Sequence, residues 1–241
     1  MDIENTVALV TGANRGIGRA LAERLLERGA RRVYAAARVP ATLEGMVALD
    51  PTRVVPLRLD ITDRQQVAAA AARAEDVTLL INNAGAITFG SILDAPQELV
   101  ARDLETNYYG TLRMVRAFAP IIEANGGGGI VNLLTLVALA SMPGLGAYNA
   151  SKAAAWSMTQ SIRADLAKKG IVVYGVFPGA VDTEMIRAME MPKADPRDVA
   201  RAVLDGVEAN AEDIFPEPMS RQVYDGWRQD HKAVERQFAA M

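Results

Sequence analysis

"TGANRGIG", residues 11–18, stands between a β-branched apolar run, "TVALVT" (6–11), and a segment whose apolar residues Ile17, Leu21 and Leu25 recur four apart. Strand, glycine-rich turn and helix, in that order, is how an α/β sheet builds an anion site. Gly12 permits a tight turn, Gly16 lets the backbone approach a phosphate, and Gly18 lets helix and strand pack closely. The free N–H groups and positive dipole end of the helix then face a pyrophosphate. The stretch predicts nucleotide binding at the first turn of a doubly wound sheet.

The pattern repeats outward from there. "RRVYAAA" (31–37), "RVVPLRL" (53–59), "VTLLINN" (77–83), "IVNLLTL" (130–136) and "IVVYGVF" (171–177) read as strands. Helices are predicted after them, over about 62–74, 97–124, 147–169 and 196–210. Leu104, Tyr108, Leu112, Val115, Ala119 and Ile122 mark the buried stripe expected on the long helix. Ala155, Met158, Ile162 and Leu166 mark that of the next, which Gly170 stops, as Gly29 stops the first. A short strand "DIF" and a polar, helical tail follow. Apolar strands alternating with helices predict a parallel sheet covered on both faces, a doubly wound Rossmann-type α/β fold. No linker or repeat divides the chain. A single domain over 1–241 is expected, with a cofactor-binding core over about 5–180, a small substrate lid over about 183–196 and a tail over about 216–241.

Composition narrows the function. The 241 residues carry 26 basic and 29 acidic side chains, net −3, which favours neither nucleic acid nor an anionic membrane as partner. The chain has no cysteine, so disulfides and thiolate metal sites are excluded. The one histidine, His231, lies in the polar run "RQDHKAVERQ" and reads as a solvated helix residue. A histidine-based triad and a histidine-rich metal site are not expected. "MDIENT" is acidic and polar, unlike a secretion signal. The most apolar stretch, "IVNLLTLVALASMPGLGAY", contains Asn132, Thr135 and Ser141 and is broken by Pro143 and Gly144. It falls short of the roughly 20 apolar residues of a membrane span. A cytoplasmic location is the expectation.

The end of the second strand bears on the choice of nucleotide. Dinucleotide sites that grip a free ribose 2′-OH place a carboxylate there. This chain has "YAAAR", ending in Arg38, and a second arginine, Arg15, inside the glycine loop. Two guanidinium groups suit a 2′-phosphate. NADPH/NADP+ is expected in preference to NADH.

Three residues separate the first two glycines, where the general dinucleotide form has one. With "NNAG" (82–85) and "YNASK" (148–152), this spacing resembles the short-chain dehydrogenase/reductase family through nearly the whole chain. The resemblance implies roles position by position. Gly12, Asn14, Arg15, Gly16, Ile17 and Gly18 would form the phosphate loop, with Arg38 beside it. Asp60 and Ile61 would contact the adenine, and Asn83, Ala84 and Gly85 would line the groove. Pro178, Gly179, Val181 and Thr183 of "FPGAVDT" would hold the nicotinamide amide. Asn107 in "NYYG" matches the asparagine that supports a proton relay by water, and homotetramers or homodimers are common in the family.

Tyr148 and Lys152 are four apart on a helix and so share a face. An ammonium beside a phenol favours the phenolate, which lets the tyrosine exchange protons near neutral pH. The expected chemistry is interconversion of a ketone or aldehyde with an alcohol by hydride transfer, with Tyr148 as proton donor and acceptor. Where the family has a serine, thirteen residues before the tyrosine at the end of the fifth strand, this chain has Thr135. Its hydroxyl can still meet a carbonyl oxygen, though a β-branched residue also simply suits a strand. Ser141 is an alternative donor. Leu136, Met142, Leu145, Met185 and Met189 are candidates for a pocket that takes a small, apolar molecule. Two rivals stay open. One is a β-ketoacyl-carrier-protein reductase, with Arg113, Arg116, Lys168 and Lys169 as a basic patch; the other is a non-catalytic nucleotide-sensing module.

Overall fold

The computed structural model describes residues 1–240. Met241, the last residue of the expected tail, lies outside them. The strands are β1 (Val7–Thr11), β2 (Arg32–Ala37), β3 (Val54–Arg58), β4 (Leu79–Asn82), β5 (Gly128–Leu133), β6 (Ile171–Val176) and β7 (Asp213–Ile214). They form one sheet in the order β3-β2-β1-β4-β5-β6-β7, and every pairing is parallel.

The helices are α1 (Gly16–Glu27), α2 (Glu44–Val47), α3 (Arg64–Arg73), α4 (Gln97–Leu104), α5 (Thr111–Ala124), α6 (Gly146–Ala167), α7 (Pro196–Glu208), α8 (Pro218–Gln229) and α9 (His231–Ala239). They cover both faces of the sheet. β1 shows how: Ala8 and Val10 point into a layer with Leu21 and Leu25 of α1 and Val203 and Val207 of α7. Val7 and Leu9 point into the opposite layer, with Met114, Phe118 and Ile122 of α5. Side chains alternate along a strand, and here both alternates meet apolar partners, so the strands read as continuous apolar runs. β1 lies between β2 and β4, so the chain runs outward in opposite directions from that point. The loops that leave the carboxyl ends of β1 and β4 diverge and open a crevice there.

Three features depart from the sequence reading. The long helix is interrupted: Glu105–Gly110 forms a π turn between α4 and α5. Val115, Ala119 and Ile122 are buried as expected, but around the wider turn Leu104, Tyr108 and Leu112 are only half-buried, and Asn107, Gly110, Met114 and Phe118 face inward as well. A 3-10 turn (Pro40–Leu43) and α2, both unforeseen, fill the β2–β3 connection. The tail breaks into two helices at Asp230, whose carboxylate accepts from the Ala233 N–H at 3.0 Å and caps α9. His231 is the exposed first residue of α9. Among the described residues, no helix is long and apolar enough to cross a membrane.

Candidate active site

The glycine loop needs its glycines for physical reasons. Gly12 and Gly16 sit at φ +68° and +54°, where a side chain is strained. A Cβ on Gly18 would collide with the Gly12 carbonyl and the Asn83 amide. The loop is tied to the end of β4 by Thr11 and Asn83. The Asn83 and Ala84 N–H groups donate to Thr11 Oγ1 at 2.9 and 3.0 Å, and Asn83 Nδ2 donates to the Thr11 carbonyl at 2.9 Å. Arg15 at the head of α1 makes no side-chain cap, and the first turn of α1 holds no acidic residue. Its N–H groups are therefore left for an anionic ligand, which fits a pyrophosphate.

From this loop a cavity of about 1230 Å³ runs along the carboxyl ends of the strands. Asn14, Ile17, Arg38, Asp60, Ile61, Asn83, Ala84, Gly85, Pro178, Gly179, Val181 and Thr183 all line it. Asp60 lies past β3, and its carboxylate accepts from Thr62 N and Oγ1 at 2.9 and 2.7 Å. Ile61 packs where a Cβ on Gly110 would stand. The Gly179 N–H donates to Glu217 Oε1 at 2.9 Å, and the Leu136 N–H to the Pro178 carbonyl at 3.1 Å. Arg38 makes no ion pair among the described residues, whereas Arg15 pairs with Glu184. Arg38 is thus left without an acidic partner, whereas the Glu184 carboxylate competes for Arg15 with any phosphate.

Tyr148 and Lys152 stand on one face of α6, in its first two turns. The Lys152 ammonium lies 5.8 Å from the Tyr148 ring centroid and donates to the Leu133 carbonyl at 2.7 Å. Both line the cavity. Burial holds the Lys152 ammonium down to about 8, partly offset by the negative charge of Asp103. Burial also dominates at Tyr148 and pushes the phenol up; the Thr135 hydroxyl pulls it down, and Asp103 adds to the rise. In the chain by itself desolvation therefore outweighs whatever favours the phenolate, and Tyr148 keeps its proton. Thr135 lies two residues beyond β5 rather than on it, where its hydroxyl accepts from Val137 N at 3.4 Å and caps a 3-10 turn. It lines the cavity; Ser141 is exposed and does not.

Asn107 is buried in the π turn and does not line the cavity. Its Nδ2 donates to the Ala86 carbonyl and to Ser151 Oγ at 2.8 Å each, and its Oδ1 accepts from the Ala86 N–H at 2.9 Å. It clasps the turn after β4 to α6. Ser151, inside "YNASK", is the second half of that clasp and carried no separate signal in the sequence. Asp103 was also unforeseen. It is fully buried, and it accepts from Thr88 N and Oγ1 at 2.8 and 3.0 Å.

Leu136, Met142, Leu145, Met185 and Met189 line the far arm of the cavity. The segment after Thr183 is a short excursion. The Asp182 N–H donates to the Ala194 carbonyl, and the Ala194 N–H to the Ala180 carbonyl, at 2.9 Å each, so it leaves and returns at one point. The residues suggested as a basic patch lie elsewhere. Arg113 pairs with Glu105 at 2.6 Å and Lys169 with Glu123 at 2.8 Å, and neither lines the cavity.

Comparison with known proteins agrees with this geometry. Dehydrogenase/reductase SDR family member 4 from Sus scrofa is 34% identical over 200 residues, 80% of this chain and 71% of that protein. A short chain dehydrogenase from Burkholderia cenocepacia J2315, solved in complex with NADP, superposes with a TM-score of 0.93 at 44% identity over 99% of both chains. A short chain dehydrogenase/reductase from Burkholderia phymatum, solved in complex with NAD, gives 0.87 at 26% identity over 98% of this chain and 96% of that one. %%FAM

Proposed function

We propose that this protein is an NADP(H)-dependent oxidoreductase that interconverts a ketone or aldehyde with an alcohol, using Tyr148 as proton donor and acceptor. The observation that carries the reading is that Tyr148, Lys152 and Thr135 line the same cavity as the glycine loop. The nicotinamide cofactor, when bound, supplies or accepts the hydride. The chain's own residues do the rest. The glycine loop and the head of α1 receive the pyrophosphate, and the turn from Pro178 to Thr183 borders the nicotinamide end.

Tyr148 holds a proton that burial keeps in place, and it passes that proton to the substrate oxygen as negative charge develops there. Thr135 offers a second hydroxyl to the same oxygen. Lys152 is a buried cation beside the phenol, and it lowers the cost of the phenolate left behind. Support for NADP(H) comes from unpaired Arg38 and from the 44%-identical relative solved with NADP. The relative solved with NAD makes the choice one to measure. The deciding experiment is consumption of NADPH and NADH over a panel of ketones and aldehydes. Turnover with NADPH at a KM below that for NADH is expected. No turnover with either cofactor across the panel would refute the reading.

A further inference from the structure

The C-terminal helices α8 and α9 turn a charged sequence into an apolar wall. None of their charged residues, from Arg221 to Arg236, lines the cavity; Met219, Val223, Val234 and Phe238 do. Val234 and Phe238 belong to one apolar cluster with Leu136, the residue after Thr135, and Met219 and Val223 pack against it. The wall is therefore continuous with the catalytic side of the chamber.

It is also firmly held. Phe215, just before α8, stacks on Tyr224 at 3.9 Å and on Phe177 at 5.0 Å, and Phe177 meets Trp156 of α6 edge-on at 4.8 Å. Buried Glu217 accepts from the N–H groups of Gly179 and Ser220 at 2.9 Å each, which pins the head of α8 to the turn after β6. Met185, Met189 and Met191 of the lid line the same cavity. Its charged lining residues come from the glycine loop, the ends of β2 and β3, α4 and the π turn, α6, and Glu184 at the root of the lid. The polar residues that α8 and α9 add are the neutral amides Gln222 and Gln237, both exposed at the rim.

We propose that the chamber takes neutral carbonyl compounds whose apolar body extends from Tyr148 into the space between the methionine lid and the α8–α9 wall, with Met219, Val223 and Phe238 as the residues that set its length. This rests on the carbonyl–alcohol reading. A carboxylate at the far end of such a substrate would lose its water and find no cation on the wall. Each further buried methylene should instead raise kcat/KM by roughly fourfold until the wall is reached. Flexible methionine side chains on the lid can follow substrates of different outline.

The test is a series of straight-chain methyl ketones and a matched series of ω-carboxylate ketones. They are assayed for turnover with NADPH and, separately, for calorimetric binding to the protein–NADP+ complex. Wild type, Phe238→Ala and Val223→Phe are compared, with NADP+ affinity as the check that each variant is folded. Affinity and kcat/KM should climb with ketone length and then level off. Phe238→Ala should move the plateau to longer ketones and Val223→Phe to shorter ones, while the carboxylates bind at least tenfold more weakly. Binding that ignores length, carboxylates that bind as well as ketones, or a plateau that neither variant moves would overturn the proposal. Length-dependent binding without turnover of any ketone would instead overturn the carbonyl–alcohol reading and leave the wall's preference supported.

Discussion

Lys152 points its ammonium at a backbone carbonyl, that of Leu133, at 2.7 Å, while standing 5.8 Å from the centroid of the Tyr148 ring. The cation is thus anchored to the end of β5, beside the phenol but not bonded to it. Replacement of the phenol tests the chemistry directly. Tyr148→Phe should lose roughly 100- to 10,000-fold in kcat, the usual worth of a positioned acid–base group. Binding of NADPH, followed by fluorescence titration, should change little.

The anchored ammonium gives a pH dependence with a definite sign. Burial depresses Lys152 to about 8, so it is charged below that pH and neutral above. In the reduction direction kcat/KM should fall as pH rises through about 8, because the neutral amine no longer supports the phenolate. Asp103 favours the ammonium, so Asp103→Asn should move the fall to lower pH. A profile unchanged by Asp103→Asn would exclude that electrostatic role. Thermal denaturation of the same variant separates it from a loss of fold.

Thr135 is the next position to test. Removing one hydrogen-bond donor to a developing oxyanion costs roughly 100- to 1000-fold in kcat. Thr135→Ala should show a loss of that order, and Thr135→Ser, which keeps the hydroxyl, should stay within a few-fold of wild type. Near-normal turnover by Thr135→Ala would reduce the residue to the cap of its 3-10 turn.

The pair Arg15–Glu184 makes an unusual prediction about cofactor affinity. Both side chains are about half exposed, so the pair is worth on the order of 0.2–1 kcal/mol. Glu184→Gln releases Arg15 and should lower the KM for NADPH by roughly 1.5- to 5-fold, with little change for NADH. Arg38→Ala should raise the KM for NADPH selectively. Equal effects on both cofactors would show that neither arginine reads the 2′-phosphate.

Glu217 predicts a stability effect. Glu217→Ala strands the buried N–H of Ser220 and the half-buried N–H of Gly179, and removes the cap of α8. An unpaired buried donor costs about 1–3 kcal/mol, so Tm should drop by roughly 2–12 °C for a chain of this length. Glu217→Gln keeps an accepting oxygen and should lose less.

The sheet and the glycine loop were legible because they rest on local rules. Apolar strands, a turn that needs positive φ at Gly12 and Gly16, and a helix start at Gly16 are written in consecutive residues. The π turn was not legible. Its extra residue per turn leaves the spacing of Leu104, Tyr108 and Leu112 looking regular while the backbone register changes beneath it. The roles of Asp103 and Glu217 were hidden for another reason. Each is a carboxylate that reads as surface charge and is buried only because distant N–H groups, those of Thr88 and Gly179, come to meet it. The apolar wall of α8 and α9 was masked by the charges on its outer side. Val234 and Phe238 of the tail are buried in one cluster with Leu136 and Phe177, so the tail docks on its own chain.

The paired base of the excursion between Asp182 and Ala194 has a consequence for how such proteins diversify. Because both ends are stitched together by the Val181–Ala194 bridge, whatever lies between them forms a cassette. Longer or differently shaped inserts can be spliced in at that seam while the strands and the phosphate cradle keep their places. Exchange of this one loop is expected to reshape the far arm of the cavity, lined by Met185 and Met189, and to leave the glycine loop as it is.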